Sequence, residues 1–184
     1  MTAIEALEAR VDRLESRAAI RELVTKYAVA CDEHDIPSLQ NLFTEDAVFK
    51  SPSSFLEANG RDAITSMFIE VLKSRGPGYH WTHDLILEQG EDRDTATGVV
   101  YSHAETTPNG VVSIAAMKYR DTYRRESGVW YFSEREIHFF YYVPMSEYIE
   151  TLNQEKRLYV GTEKRVADFP ESVQSWKDFE STHK

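Results

Sequence analysis

The chain has 184 residues, enough for one domain with a real core, and its apolar and charged fractions (41% and 28%) are those of an ordinary globular protein. A formal net charge of −10 disfavours non-specific binding to nucleic acid or to an anionic membrane surface. The one cysteine, Cys31, excludes an intramolecular disulfide framework and a cysteine-rich zinc site. No segment pairs basic residues with an apolar run, and none approaches ~20 apolar residues. Neither a signal peptide nor a membrane-spanning helix is therefore expected, and the expected compartment is the cytoplasm.

Residues 3–17 carry Ile4, Leu7, Val11 and Leu14 at spacings of three, four and three, a heptad seam of about two repeats. A helix of that length is marginal alone, so the seam is expected to pack on the chain's own body or on a neighbouring subunit. After Arg17 the phase shifts to Ile20, Leu23, Val24, Tyr27, Ala28 and Cys31, a core-facing stripe at helical spacing. At 100° per residue Asp32 lies about 110° from the centre of this stripe and Asp35 lies nearer. Periodicity thus leaves both open, as it leaves open a solvated carboxylate at a helix end.

Pro37 suits the first turn of a short helix carrying Leu39, Leu42 and Phe43. Ala47-Val48-Phe49 reads as a brief strand, Ser51–Ser54 as a loop, and Gly60-Arg61-Asp62 as the start of a third helix with Ile64, Met67, Phe68, Val71 and Leu72 on one side. Gly76-Pro77-Gly78 ends it. From Tyr79 the pattern turns to strands over roughly 79–90, 95–107, 111–125 and 129–143, rich in β-branched and aromatic residues. Of the short connections, Pro108-Asn109-Gly110 best suits a tight hairpin. Helices followed by hairpin-linked strands predict an α+β domain, with helices packed into a curved antiparallel sheet whose mouth can hold a ligand. After Pro144 a helix is expected over 145–158, then an amphipathic tail with Tyr159, Phe169, Trp176 and Phe179.

Alternation along the first long strand groups His80 with Thr82, Asp84 and Ile86, and places His83 on the opposite face with Trp81, Leu85 and Leu87. His80 and His83 therefore do not form a metal pair, no other His/Asp/Glu cluster has ligand spacing, and no metal is expected. A buried histidine fixed by a carboxylate can act as a general base; a hydrogen-bonded structural histidine is the plain alternative for His80. Arg135 is grouped with Tyr131, Ile137 and Phe139, where it could bind an anionic leaving group or simply pair with a carboxylate in the wall. Tyr27 could donate to a substrate oxygen or be a core tyrosine. Cys31 reads as core packing. Without a phosphate loop, a nucleophile elbow or a dinucleotide fingerprint, no cofactor is expected. The expected chemistry is what a proton shuttle alone can run: elimination, isomerisation or cyclisation. Aromatic residues on the strands (Tyr101, Tyr119, Tyr131, Phe139, Tyr141) point to a hydrophobic, polycyclic ligand.

The run Ser16–Ile20, Tyr27–Asp32, Asp46–Phe49, Gly60–Asp62, His80 at a strand start and Gly128–Arg135 resembles the SnoaL-like group of the nuclear-transport-factor-2-like cone fold. The resemblance covers about residues 15–145, and within the group it is strongest to hexachlorocyclohexane dehydrochlorinases and bile-acid 7α-dehydratases. It implies a catalytic dyad of Asp32 and His80, choosing Asp32 over Asp35. Tyr27 then matches the dehydratase tyrosine, where the dehydrochlorinases have a lysine, and Arg135 matches a pocket arginine of the dehydrochlorinases. Where the bile-acid enzymes have a second aspartate, this chain has Ala104 with Glu105 beside it. The resemblance further implies a homo-oligomer, a trimer, and a division into a domain over 1–145 and a helical extension over 146–184 that packs on the body or on a neighbour. The resulting expectation is a cofactor-independent lyase, a dehydratase or dehydrohalogenase, on a small hydrophobic substrate. The rivals are an isomerase or cyclase using the same dyad and a non-catalytic ligand-binding module of the same fold.

Overall fold

The computed structural model describes residues 2–54 and 56–184. Helix α1 (Ala3–Asp32) is continuous through the expected change of phase. It starts at a capping box: Thr2 Oγ1 accepts from Glu5 N (3.2 Å), and Glu5 Oε2 accepts from Thr2 N (2.7 Å). Its predicted stripe from Ile20 to Cys31 is buried, whereas Ile4, Leu7, Val11 and Leu14 stay 44–70% exposed. The heptad seam therefore does not pack on the chain's own body. Arg125 Nη1 donates to Asp12 Oδ1 (2.7 Å) and ties the middle of α1 to the sheet. The helix ends at His34, in the left-handed region at φ 54°, and α2 (Ile36–Gln40) follows with Asp35 as its cap.

Leu42 and Phe43 belong not to α2 but to the approach and start of β1 (Phe43–Ser51), which is longer than the three residues expected. It pairs antiparallel with β2 (Leu56–Asn59), a strand the sequence pattern did not reveal. Helix α3 (Arg61–Lys73) precedes β3 (Tyr79–Gln89), β4 (Thr95–Thr106), β5 (Ser113–Glu126) and β6 (Val129–Pro144). The sheet order is β2-β1-β6-β5-β4-β3, antiparallel except that β1 runs parallel to β6. The fold is α+β, with α1 and α3 laid into the concave face of a curved sheet. The two-residue hairpin is Ser127-Gly128, both at positive φ (50° and 85°). Asn109-Gly110 sits instead in a longer loop.

Two irregularities change which side chains face inward. β3 and β4 shift register between Thr82 and Leu85, and His83 and Asp84 are consecutive exposed residues. This bulge puts His80, Thr82, Leu85 and Leu87 on the same inner face, so strict alternation misassigned the residues beyond it. β6 shifts register between Phe132 and Glu134. Phe132 and Arg135 are consequently both wholly buried, and Tyr131 lies on the other face.

The helix expected over 145–158 is a single turn, α4 (Tyr148–Thr151), and the chain then forms a hairpin, β7 (Lys156–Val160) and β8 (Glu163–Val166). β7 pairs with β6 at Tyr142 and Leu158, and Leu158 is fully buried. Val160, Leu158 and Tyr159 are better placed on a strand than on a short unsupported helix. Trp176 and Phe179 lie on the terminal α5 (Gln174–His183). Among the described residues no helix is long and apolar enough to cross a membrane.

Candidate active site

The last residue of α1 and the second of β3 meet across the sheet rim. His80 Nδ1 lies 2.6 Å from Asp32 Oδ1, and the His80 backbone N–H donates to Asp32 Oδ2 at 3.0 Å. Both carboxylate oxygens are thus spent on one residue, fixing the imidazole plane as well as its position. In the neutral tautomer that donates Nδ1–H to Asp32, the lone pair is on Nε2, which has no protein partner among the described residues. Asp35, the rival by periodicity, accepts from Ser38 N (3.1 Å) as a helix cap, and the Ser38 hydrogen bonds hold its carboxyl below the usual range.

His80 lines a cavity of about 310 Å³ enclosed by α1, α3 and the concave sheet. Its wall is apolar: Phe49, Met67, Phe68, Met117, Ile137 and Phe139, closed at one side by Leu158, Tyr159 and Val160 of β7. Ala104, cross-strand neighbour of His80, faces inward and Glu105 faces solvent, so the cavity holds no second carboxylate among the described residues. Of the aromatic residues marked on the strands, Tyr119 and Phe139 reach the cavity; Tyr101, Tyr131 and Tyr141 do not.

Tyr27 and Cys31, one turn apart on α1, line the same cavity. Burial pushes the Cys31 thiol up to about 12 and raises the Tyr27 hydroxyl well above its ordinary value, so both stay protonated donors. Arg135 is not part of the cavity lining. It lies beneath Tyr27, wholly buried, with Nε and Nη2 donating to Asp121 Oδ1 (2.8 Å) and Oδ2 (2.7 Å). Its Cζ stands 4.2 Å from the ring centroids of Tyr27 and Tyr119 and 4.1 Å from that of Phe132, and Nη1 has no hydrogen-bond partner among the described residues. Of the four residues singled out from the sequence, the fold brings Tyr27 and His80 to one cavity, places Asp32 beside His80 in a small adjoining cleft, and sets Arg135 behind Tyr27.

His83 points outward, on the face opposite His80 but not with Leu85 and Leu87, and its Nε2 meets His103 Nδ1 at 2.6 Å on the convex face. Sequence reasoning missed Asp121, whose burial only the sheet register reveals. It also missed Arg75, which lines the cavity from the loop after α3; the glycine-proline run beside it reads as a plain turn.

Residues 12–136 match the SnoaL-like domain family. The chain is 27% identical over 145 residues to the gamma-hexachlorocyclohexane dehydrochlorinase of Sphingobium indicum, covering 74% of this chain and 88% of that protein. Its structure is similar to that of the dehydrochlorinase LinA, with a TM-score of 0.70, 25% identity, and coverage of 75% of this chain and 95% of the other. A scytalone-dehydratase-like protein of Novosphingobium aromaticivorans shares the fold at a TM-score of 0.67 and 21% identity, over 73% of this chain and 91% of its own.

Proposed function

The chain belongs to the SnoaL-like family, and from that premise we propose that it is a cofactor-independent lyase acting on a small hydrophobic substrate. In the proposed reaction His80 Nε2 takes a proton from a carbon beside an activating group. The released pair forms a carbon–carbon double bond, and hydroxide or halide leaves the neighbouring carbon with its bonding pair. Asp32 stabilises the imidazolium formed, which then returns its proton to solvent or to the departing oxygen. Tyr27, a protonated phenol in the apolar wall, donates to the leaving group as its charge develops. Arg135 supports Tyr27 from behind: its charge, held by Asp121 against the ring faces, fixes the phenol's position. An isomerase would share the first step and differ in where the proton returns.

The single observation that carries this reading is the doubly bonded Asp32–His80 pair opening onto an apolar cavity. A binding module has no need to fix a tautomer beside an empty volume. The test is product release, as water loss from β-hydroxy ketones and halide loss from polyhalogenated alicyclics, by wild type and His80→Ala. The variant is expected to keep its unfolding curve and lose on the order of 10²–10⁴-fold in turnover; undiminished turnover would end the proposal. We further place the protein in the cytoplasm as a homotrimer, the uncovered heptad seam of α1 giving a neighbouring subunit its contact. Sedimentation of wild type against Leu7→Glu/Leu14→Glu checks the assembly, which should dissociate.

A further inference from the structure

We propose that Arg75 is an anion-binding residue of the cavity and that the natural ligand carries a carboxylate beside its apolar body. The inference rests on the lyase reading only in taking this cavity as the substrate site.

Among the described residues lining the cavity there is no Asp, Glu or Lys, and Arg75 is the one permanently charged side chain. Neighbouring arginines are charge-paired: Arg135 with Asp121, and Arg157 with Glu171 and backbone carbonyls. The Arg75 side chain makes no hydrogen bond or ion pair among the described residues, although it is partly buried. Its charge reaches into the cavity, where it favours the ionised forms of Cys31 and Tyr119 against their burial. It also borders the small cleft that contains Asp32 and His80, so an anion held by it would lie close to the dyad.

The backbone under Arg75 is pinned. Arg75 bridges to Pro108, Asn109 N donates to Ser74 O (2.7 Å), and Thr107 Oγ1 donates to Pro77 O (2.8 Å). A guanidinium on a fixed stem, with its fork unused and an apolar wall behind it, suits a carboxylate, which it can hold bidentately. The chain's net charge of −10 repels anions at long range, so a local cation is what would admit one. It also serves the chemistry. Removing a proton next to a carboxylate builds a second negative charge, and a paired guanidinium lowers that barrier.

The probe is a shape-matched pair, 2-naphthoate and 2-naphthamide, titrated calorimetrically into wild type, Arg75→Gln, Arg75→Lys and His80→Gln at neutral pH. Wild type should bind the carboxylate on the order of tenfold more tightly than the amide. Arg75→Gln should bind both alike, Arg75→Lys should keep part of the preference, and His80→Gln should keep it all. Equal binding in wild type, a preference that survives Arg75→Gln, one lost only in His80→Gln, or no binding of either ligand would overturn the assignment. Because the readout is affinity and not turnover, failure of the lyase reading in the His80→Ala assay leaves this result independent.

Discussion

Replacing Asp121 by Asn removes the charge that holds Arg135 while keeping the shape of the site. Both side chains are fully buried, and two hydrogen bonds of 2.7 and 2.8 Å join them. Asp121 Oδ2 also accepts from Tyr123 Oη at 2.8 Å, a contact an Asn oxygen can retain. The substitution leaves an uncompensated guanidinium in the core, and sets the amide NH2 against one of its N–H donors, a cost of at least about 3–5 kcal/mol. The ring cage of Tyr27, Tyr119 and Phe132 is present before and after, so its cation–π attraction does not change the difference. A domain of ordinary stability, about 5–15 kcal/mol, would be brought near its limit. Removing both charges in Asp121→Asn/Arg135→Met should restore part of the loss, since no charge then stays uncompensated in the core. Urea unfolding followed by tryptophan fluorescence, with slopes compared between variants, measures both differences. A single variant costing less than about 1 kcal/mol, or a double variant as unstable as the single, would refute the reasoning.

Asp32→Asn should leave the fold intact and lower turnover by on the order of 10²–10⁴-fold, because the amide no longer stabilises the imidazolium; a pH–rate profile unchanged from wild type would contradict that role. Cys31, buried and raised to about 12, should resist thiol reagents in the native state at mildly alkaline pH and react only in urea. Rapid native labelling would show that the cavity wall opens. His103 titrates below its ordinary value, first through burial and then through the neighbouring charge of His83. A depressed base contributes stability above its unfolded pKa of 6.5 that is lost as pH falls through the lower folded value. Acidification through that window should therefore weaken the convex face, and His83→Gln should raise the His103 pKa in an NMR titration; no movement would count against the pairing.

The order of elements from α1 to β6, β2 apart, was legible, and so was the buried stripe of α1, because a long helix repeats its period many times; Tyr27 and the end of the helix followed. The Asp32–His80 contact came from resemblance, since rotation about the helix axis left Asp35 equally available until its capping bond to Ser38 is seen. What stayed hidden is what single residues decide. The bulge at His83-Asp84 has no compositional mark, yet it turns Leu85 inward and Ile86 outward. The register shift in β6 likewise moved Tyr131 off the face it would share with Arg135 by alternation. Asp121 looks like any strand carboxylate until Arg135 is placed beside it, and the β7 residues carry too short a pattern to separate strand from helix.

The hairpin that begins with β7 carries a further consequence. Leu158, Tyr159 and Val160 close one side of the cavity, but they lie outside residues 12–136, which match the family. The His80 and Tyr27 side of the cavity thus lies within the family match, while the β7 wall lies beyond it. Substitutions confined to β7 therefore reshape that wall while leaving Asp32, His80 and Tyr27 unchanged. Library design for altered selectivity has its natural cassette there.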